Sequence, residues 1–373
     1  MVGSMAWQVD RRGLVSSAGA ALALGGCTTV QSRPVAQIGA MAPRCLARVN
    51  VDPSRIIRTV AGLRPYRRSG FVVRAERLGE SLLIHNYGHG GGGISLSWGS
   101  SRLATALGLP GHAGPVAVIG SGIMGLTTAR LVQEAGYPVT IYTETLPPGT
   151  TSNIAGGQIY PAGHFDDDMV TPQWREQAAA AADYSRRRFQ IMAGDDYGIR
   201  WLPTYDQTRS SGPLAPDPMF PGRVRLSADQ HPFPADNVVR YDTMYVETGR
   251  FMERLLHDIR IAGGAVQVRR FNSAAEVSAL PERLVFNCTG LGAAALFGDT
   301  ELIPVRGQLA VLIPQPEIEY AYALRAGYMF PRGDGILLGG TYERGEYVAE
   351  PQPQDIADIV QSHRSLMAGW RCA

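Results

Sequence analysis

Short apolar runs alternate with helical patterns in the middle of the chain, and together they predict an α/β fold. Val116–Ile119 is a four-residue apolar run, typical of a strand buried on both faces of a parallel sheet. A helical pattern over Ile123–Ala135 follows, and Pro138–Thr143 predicts a second strand. Strand, helix and strand in this order are typical of a Rossmann-like unit.

The same patterning extends on both sides of this unit. Further strands are predicted at Phe71–Glu76, Leu82–Ile84, Val238–Tyr241, Ala265–Arg269 and Leu284–Gly290, with a hairpin of Tyr328–Pro331 and Gly335–Gly340. Helices are predicted at Ile94–Leu107, Thr171–Met192, Glu247–Ala262 and Asp355–Met367. Residues 200–245 are rich in proline with only short strand-like pieces, which indicates a second, mixed-sheet domain for the substrate.

A glycine fingerprint, Gly120-x-Gly122-x-x-Gly125, follows the first strand. Its first glycine permits a sharp turn, its second lets a pyrophosphate approach the backbone, and its third lets helix and strand pack closely. Glu144 ends the second strand about 20 residues later, where a carboxylate accepts from ribose hydroxyls. This context predicts a dinucleotide site rather than a merely glycine-rich turn. The carboxylate disfavours NADP, and the motif alone leaves FAD and NAD open.

A second glycine-rich loop, HNYGHGGGG over residues 85–93, opens the helix predicted from Ile94. Successive backbone N–H groups at a helix start form an anion site, and a flexible surface loop is the alternative. His85 and His89 have H-x-x-x-H spacing, but they lie on a loop without an accompanying acidic or cysteine cluster. We therefore predict no metal site.

Composition narrows the function classes. The chain of 373 residues is long enough for two domains, and a net charge of +2 without a lysine/arginine stripe argues against nucleic-acid binding. The four cysteines form no C-x-x-C motif. Cys288, in a predicted buried strand, is expected to be a core residue rather than a nucleophile.

Residues 1–27 resemble an export signal. Arg11-Arg12, the short apolar run Gly13–Leu24 and the small residues before Cys27 suggest the twin-arginine route, with lipidation of Cys27 as a membrane attachment. The apolar run is too short to span a bilayer stably. The alternative is a disordered or mis-started N-terminus on a cytoplasmic protein. Residues 28–50 are polar and predict a linker.

Together the motifs resemble the D-amino acid oxidase family of FAD enzymes. The fingerprint through TTSNIAGGQIYP resembles the family's N-terminal half, and Asn287–Gly290, Arg306-Gly307-Gln308 and YMFPRGDGILLGG resemble its later part. GLRPYRR and IHNYGHGGGGISLSWG resemble its C-terminal signature, yet here they precede the first strand. The resemblance therefore implies a circular permutation joined through GLPGHAG, with a mis-assembled gene as the alternative. If the protein is exported, a disulfide between Cys45 and Cys372 is hypothesised to staple the new ends.

The resemblance implies a division of the chain into segments. These are a signal (1–27), a linker (28–50), a permuted segment with the substrate arginine and flavin loop (51–107), a Rossmann-like FAD-binding part (115–199, returning at 251–299), a substrate domain (200–250 and 300–350) and a C-terminal helix (351–373).

The resemblance also assigns site residues. Arg64 binds the substrate carboxylate, the Tyr328 hydroxyl helps to hold it, and the Gly91 carbonyl accepts from the amine. Residues implied to bind FAD are Gly120, Gly122, Ile123, Met124, Gly125, Glu144, Thr150, Thr151, Ser152, Gly156, Gly157, His85, Gly90, Gly91, Gly92, Gly93, Ile94 and Ser95. The family's second, lid tyrosine falls on Leu324 here, with Tyr320 and Tyr322 nearby, which leaves the preferred substrate side chain open.

The implied reaction converts a D-amino acid, O2 and water to a 2-oxo acid, ammonia and hydrogen peroxide, by hydride transfer to flavin N5. Three alternatives remain open. The first is an FAD-dependent amine or glycine-type oxidase, or a dehydrogenase with another acceptor. The second is a degenerate flavin-binding surface lipoprotein, and the third is an NAD-dependent dehydrogenase, which the HNYGHGGGG loop disfavours.

Overall fold

The computed structural model describes residues 45–209, 211–217 and 219–372. The predicted signal with Cys27, and residues 28–44 of the predicted linker, lie outside these residues. Residues 45–50 are packed and are not a linker. Val49 is buried, the Asn50 amide donates to Gln315 Oε1 (2.8 Å), and Tyr320 donates to the Ala47 carbonyl (2.8 Å). Apolar side chains inside a polar stretch account for this difference.

The elements are numbered in chain order. The strands are β1 (Ile56–Arg67), β2 (Val72–Leu78), β3 (Ser81–Tyr87), β4 (Val116–Ile119), β5 (Val139–Thr143), β6 (Ile199–Gln207), β7 (Val224–Arg225), β8 (Val238–Val246), β9 (Ala265–Val268), β10 (Leu284–Asn287), β11 (Leu302–Leu312), β12 (Ala321–Leu324), β13 (Gly327–Arg332), β14 (Gly335–Gly339) and β15 (Glu343–Arg344). The helices are α1 (Gly93–Gly108), α2 (Ile123–Glu134), α3 (Thr151–Ile154), α4 (Pro172–Ile191), α5 (Thr248–Ile261), α6 (Ala274–Ser278), α7 (Gly292–Phe297) and α8 (Pro353–Ala368). Short 3₁₀ turns occur at Pro53–Arg55, Gly90–Gly92 and Asp195–Tyr197.

The first sheet of the described residues has six strands in the order β2-β3-β10-β4-β5-β9. All neighbours are parallel except β2, which runs antiparallel to β3. His85, Asn287 and Ile119 lie side by side at the carboxyl ends of β3, β10 and β4. Both predicted glycine loops therefore leave the sheet at the same edge, where open α/β sheets bind ligands.

The second sheet of the described residues has nine strands and is mixed. Its order is β1-β11-β14-β13-β12-β6-β8-β7, with β15 paired to β11. The pairs are antiparallel except β12 with β6, which is parallel. Helix α8 packs on this sheet, and the Tyr322 hydroxyl meets His363 Nδ1 at 2.7 Å inside the core. The predicted α/β fold, with a Rossmann-like unit and a second mixed sheet, is confirmed.

Two long strands had no counterpart in the sequence prediction, β1 and β6. Strand β1 contains Pro65 and β6 contains Pro203, and a proline in a sequence argues against a central strand. Strand β1 lies at the edge of its sheet, where a proline costs no ladder hydrogen bond on the open side. Strand β11 also begins at Leu302, four residues before the predicted start at Arg306.

Three of the four cysteines lie within the described residues. Cys45 and Cys372 form the hypothesised disulfide, with Cα atoms 5.7 Å apart and a sequence separation of 327. Cys288 is buried at the end of β10, and burial raises the pKa of its thiol to about 12. It therefore lacks the thiolate character that a nucleophile needs.

No helix within residues 45–372, apart from the two gaps, is both long and apolar enough to cross a bilayer. In the same part of the chain, histidine, cysteine, aspartate and glutamate side chains nowhere gather in a group of three that could hold a metal ion.

Candidate active site

One elongated cavity of about 930 Å³ runs along the edge where the glycine loops meet the second sheet. Its walls come from the turns after β3, β4 and β10 and from β1, β11 and β13. Most of the predicted site residues line it, namely Arg64, Gly90, Gly91, Gly93, Ile94, Gly120, Gly122, Ile123, Met124, Glu144, Thr150, Thr151, Ser152, Gly156, Gly157 and Tyr328.

The three fingerprint glycines have separate structural reasons. Gly120 has φ +106°, and a Cβ there would lie 2.5 Å from the Cys288 carbonyl oxygen. A Cβ at Gly125 would lie 1.9 Å from the Gly120 carbonyl oxygen, so only glycine lets α2 start this close to β4. A Cβ at Gly122 would meet only the Ser152 hydroxyl, at 3.3 Å, and otherwise open cavity. The second glycine is therefore the one that leaves room for a ligand.

Glu144 lies at the far end of the cavity, on the carboxyl side of β5. Its carboxylate is exposed and forms an ion pair with Arg270 at 3.3 Å. Arg270 follows β9, the next strand of the sheet, and lines the cavity with Arg269 and Asn272. The sequence predicted the carboxylate from its spacing, but the arginine partner comes from a strand about 125 residues further along the chain.

The second glycine loop is a packed 3₁₀ turn rather than a flexible surface loop. Gly91 N–H donates to the Gly163 carbonyl at 2.9 Å, and a Cβ at Gly91 would lie 2.6 Å from the Ala162 carbonyl oxygen. Gly90 has φ +51° and packs against Tyr66. Helix α1 begins directly after the turn, and its first two residues, Gly93 and Ile94, line the cavity at the end of the helix that has free N–H groups.

Four predicted cofactor residues, His85, Gly92, Ser95 and Gly125, lie behind the lining instead of in it. His85 is buried, with Nδ1 3.0 Å from Asn287 Nδ2 and Nε2 3.2 Å from Glu76 Oε1. The Ser95 hydroxyl donates to the Gln158 carbonyl at 3.2 Å. These four residues shape the backbone behind the cavity and do not line it.

Two further histidines, His89 and His164, support the glycine turn from inside the protein. The His89 ring stacks on Phe71 with centroids 4.8 Å apart, and His164 packs against Gly92. Burial lowers the pKa of His89 to about 3, with His164 contributing, and lowers that of His164 to about 4. Both rings are therefore neutral at physiological pH and contribute packing rather than charge.

Arg64 and Tyr328 meet at the end of the cavity opposite Glu144. The Arg64 guanidinium lies against β11 at Gly307, and its Nη1 is buried without a hydrogen-bond partner among the described residues. Burial raises the pKa of Tyr328, and the neighbouring Arg64 offsets part of that shift. A buried guanidinium with a free donor next to a phenol is suited to binding a carboxylate.

Tyr342 is a site residue that the sequence did not reveal. It follows β14, lines the cavity and is 46% exposed, and its ring centroid lies 5.7 Å from Arg64 Cζ. The positions considered for a lid residue, Leu324, Tyr320 and Tyr322, are all buried in the core around α8. Spacing from Tyr328 gives no sign of Tyr342, because its aromatic side chain reaches the cavity from beyond the next strand.

Comparison with protein families and sequences gives one consistent result. Residues 115–370 match the family model of the FAD-dependent oxidoreductases (DAO). The chain is 29% identical over 267 residues to a D-amino-acid oxidase of Streptomyces coelicolor, which covers 68% of this chain and 78% of the relative. It is 26% identical over 258 residues to human D-aspartate oxidase, covering 66% and 73%.

Solved structures support the fold. A glycine oxidase from Bacillus cereus superposes with a TM-score of 0.51 at 15% identity, over 68% of this chain and 78% of that one. An iminodiacetate oxidase from Chelativorans also gives 0.51 at 18% identity, over 68% and 79%. At such identities the likeness concerns the fold alone.

Proposed function

Because this chain belongs to the DAO family of FAD-dependent oxidoreductases, we propose that it oxidises D-amino acids with O2 as the electron acceptor. The observation that carries the proposal is the buried, unpaired Nη1 of Arg64, in the same cavity as the glycine fingerprint. The products are a 2-oxo acid, ammonia and hydrogen peroxide.

The cavity fits FAD. The open face of Gly122 and the start of α2 suit the pyrophosphate, and Glu144 suits the ribose hydroxyls. A Cβ at Gly93 would have only His89 near it, at 3.9 Å, so the start of α1 also has room for the flavin ring beside it. When bound, FAD would supply the two-electron chemistry, as acceptor of a hydride from the substrate and donor of electrons to O2. The N–H groups at the start of α1 would stabilise negative charge on the reduced flavin ring.

Substrate binding follows from three groups of this chain. Arg64 holds the carboxylate through two parallel hydrogen bonds, and the Tyr328 hydroxyl adds a third donor. The Gly91 carbonyl accepts from the amine. These contacts fix the α-carbon, so the protein contributes orientation rather than a dedicated base.

The substrate end of the cavity favours a neutral side chain. Ile154, Leu309, Phe330 and Tyr342 line it with apolar surface. Among the described lining residues, Arg64 is the only cation at this end, since Arg269 and Arg270 lie beside Glu144. Arg344, at the rim beside Tyr342, is already paired with Asp166, so a second carboxylate would find no unpaired cation there. We therefore expect neutral D-amino acids to be better substrates than D-aspartate.

The test is the absorbance spectrum of the purified protein during anaerobic addition of D-amino acids and glycine. We expect flavin bands that neutral D-amino acids bleach and that return with peroxide when O2 is readmitted. A slow return that an electron-accepting dye accelerates would indicate a dehydrogenase. Bleaching by glycine or a secondary amine alone would indicate a glycine-type oxidase, and a colourless protein that cannot take up FAD would overturn the proposal.

We also propose export, with Arg11-Arg12 as the twin-arginine signal and Cys27 as a lipidation site. The Cys45–Cys372 disulfide supports an oxidising compartment. Cell fractionation and the intact mass of the protein test this. An unprocessed N-terminus in the cytoplasm, with Cys45 and Cys372 reduced, would exclude export.

A further inference from the structure

The rim of the cavity next to Tyr342 carries a cluster of charges centred on Asp166. Its carboxylate accepts from the Tyr66 hydroxyl, from Arg344 Nη2 at 2.8 Å and from Arg68 Nε at 2.8 Å. Arg344 Nη2 also donates to the Tyr66 hydroxyl at 3.0 Å. These donors hold the pKa of Asp166 well below its usual range, Arg344 contributing most, so the carboxylate is charged at physiological pH.

Arg344 lies between two tyrosines, the buried Tyr66 and the half-exposed Tyr342. Its Cζ lies 4.6 Å from the ring centroid of Tyr66, which is fully buried, and 5.7 Å from that of Tyr342. Arg64 Cζ lies 5.7 Å from the same Tyr342 ring. The Tyr342 ring is therefore in reach of one guanidinium in the cavity and another at the rim, and cation–π attraction acts on it from both.

Besides these two cations, the ring lies beside Gly163, where a Cβ would be 3.4 Å from Tyr342 Cε2. Tyr342 lies between β14 and the two-residue strand β15, and 46% of it is exposed. Arg344 is the second residue of β15, and its partner Asp166 comes from the loop before α4. The ion pair therefore ties Tyr342 to a separate wall of the cavity.

We propose that the Asp166–Arg344 ion pair is a latch that holds Tyr342 over Arg64 and so limits the rates at which carboxylate ligands enter and leave. The inference rests on the proposed function in one respect, that Arg64 binds the carboxylate. Asp166 and Arg344 are positioning residues, because they act through Tyr342. A latch on the entrance changes association and dissociation in the same direction, whereas damage to the site weakens affinity.

The experiment uses the FAD-loaded protein and benzoate, a carboxylate without an amine to oxidise. Stopped-flow absorbance of the flavin gives the association and dissociation rate constants. For Arg344→Gln and Asp166→Asn we expect both constants to rise about fivefold, with the Kd within about twofold. Arg344→Lys, which keeps the charge but not the fork, is expected to fall between these variants and the wild type.

Arg187→Gln is the matched control, because it breaks an exposed ion pair with Asp183 on α4. We expect it to leave both rate constants unchanged. Arg344→Gln removes a half-exposed side chain, and its FAD affinity and melting temperature show whether the fold is intact.

A higher Kd without faster association in the latch variants, the same acceleration in Arg187→Gln, or a wild type that does not bind benzoate would each overturn the proposal. Failure of the proposed function gives a different result, namely wild-type protein that binds benzoate while no D-amino acid bleaches its flavin.

Discussion

A Cβ atom at Gly307 would lie 2.1 Å from Nη2 of Arg64, so the guanidinium rests directly on the backbone of β11. Gly307 is the partner of Gly62 in the pairing of β11 with β1, so neither strand has a side chain at this position next to the arginine. A similar relationship holds at Tyr328, because a Cβ at Gly339 would lie 2.2 Å from its Cζ. Glycines on two neighbouring strands thus make the space in which Arg64 and Tyr328 lie.

Gly307→Ala is therefore expected to displace Arg64 and raise the Kd for benzoate about tenfold or more, because the guanidinium can no longer occupy its place. The measurement is a flavin absorbance titration of the FAD-loaded variant. Gly249→Ala is the control, since a Cβ there meets nothing within 4 Å. Equal affinities for the variant and the wild type would mean that Arg64 does not bind the carboxylate in this position.

Arg64→Lys tests the bidentate geometry separately from the charge. Lysine keeps a cation but loses the planar fork, so we expect kcat/KM for a neutral D-amino acid to fall by about 10–100-fold. Arg74→Lys, at an exposed site on β2, is expected to have no effect. If Arg64→Lys retained full activity, the arginine would be serving a structural role.

Glu144→Gln tests the far end of the cavity. We expect the Kd of the apoprotein for FAD to rise about tenfold, because a charge-assisted hydrogen bond to the ribose is lost. Fluorescence quenching measures this, and FMN, which lacks the adenosine, is expected to bind both proteins equally. Glu80→Gln, which breaks the exposed pair with Arg283, is the control. Equal weakening of FAD and FMN binding would place Glu144 elsewhere on the cofactor.

The buried histidines predict loss of stability in acid. Burial lowers the pKa of His89 to about 3 and that of His164 to about 4, against about 6.5 in the unfolded chain. Below pH 6.5 the unfolded state takes up protons that the folded state does not, so stability present above pH 6.5 is lost as the pH falls toward 4.

Melting temperatures between pH 7.5 and 4 measure this loss. His363 lies in the core around α8, and burial also lowers its pKa to about 4. It therefore contributes to the same decrease in melting temperature with falling pH. His164→Gln should therefore flatten the slope without abolishing it. A melting temperature that stays constant over this range would contradict the prediction.

We propose that the order of the motifs is a circular permutation, and the disulfide suggests a direct test. The Cα atoms of Cys45 and Cys372 are 5.7 Å apart, so two or three residues can join these ends. New termini belong at Gly111, between α1 and β4, where a Cβ would meet nothing within 4 Å. In the rearranged chain, a linker of two or three residues joins positions 372 and 45, and the new termini lie at Gly111. We expect this chain, with both cysteines replaced by serine, to fold and bind FAD. Opening the same chain within β11 is the control that should fail, and failure at Gly111 as well would argue against permutation.

The Rossmann-like unit was predictable to within about one residue. Strand β4, α2 and β5 have the apolar runs, helical period and glycines that local physics requires, and each glycine has a separate steric reason. The strand with Arg64 was not assigned, because Pro65 and its arginines obscure the pattern of an edge strand. The family motif that this strand resembles nevertheless predicts Arg64 as the residue that binds the substrate carboxylate.

The remaining contributors to the site depend on tertiary contacts. Tyr342 reaches the cavity from beyond β14, Arg270 meets Glu144 across the sheet, and Asp166 meets Arg344 from a loop almost 180 residues away. No local pattern marks such pairs, because an exposed ion pair needs only the right position in space. The neutral charge state of His89 and His164 could not be predicted for a related reason, since burial rather than sequence spacing decides it.

The Cys45–Cys372 bond makes the folded chain a covalent ring that contains every helix and strand described above. One proteolytic cut in a surface loop opens this ring without releasing a fragment, so the nicked protein keeps its mass, plus one water, until a reductant divides it. Two cuts are needed to free a piece. Outside a reducing compartment, the ring therefore keeps the chain in one piece after a first cut by a peptidase. A cut in an exposed loop then does not separate the parts of the fold on either side of it.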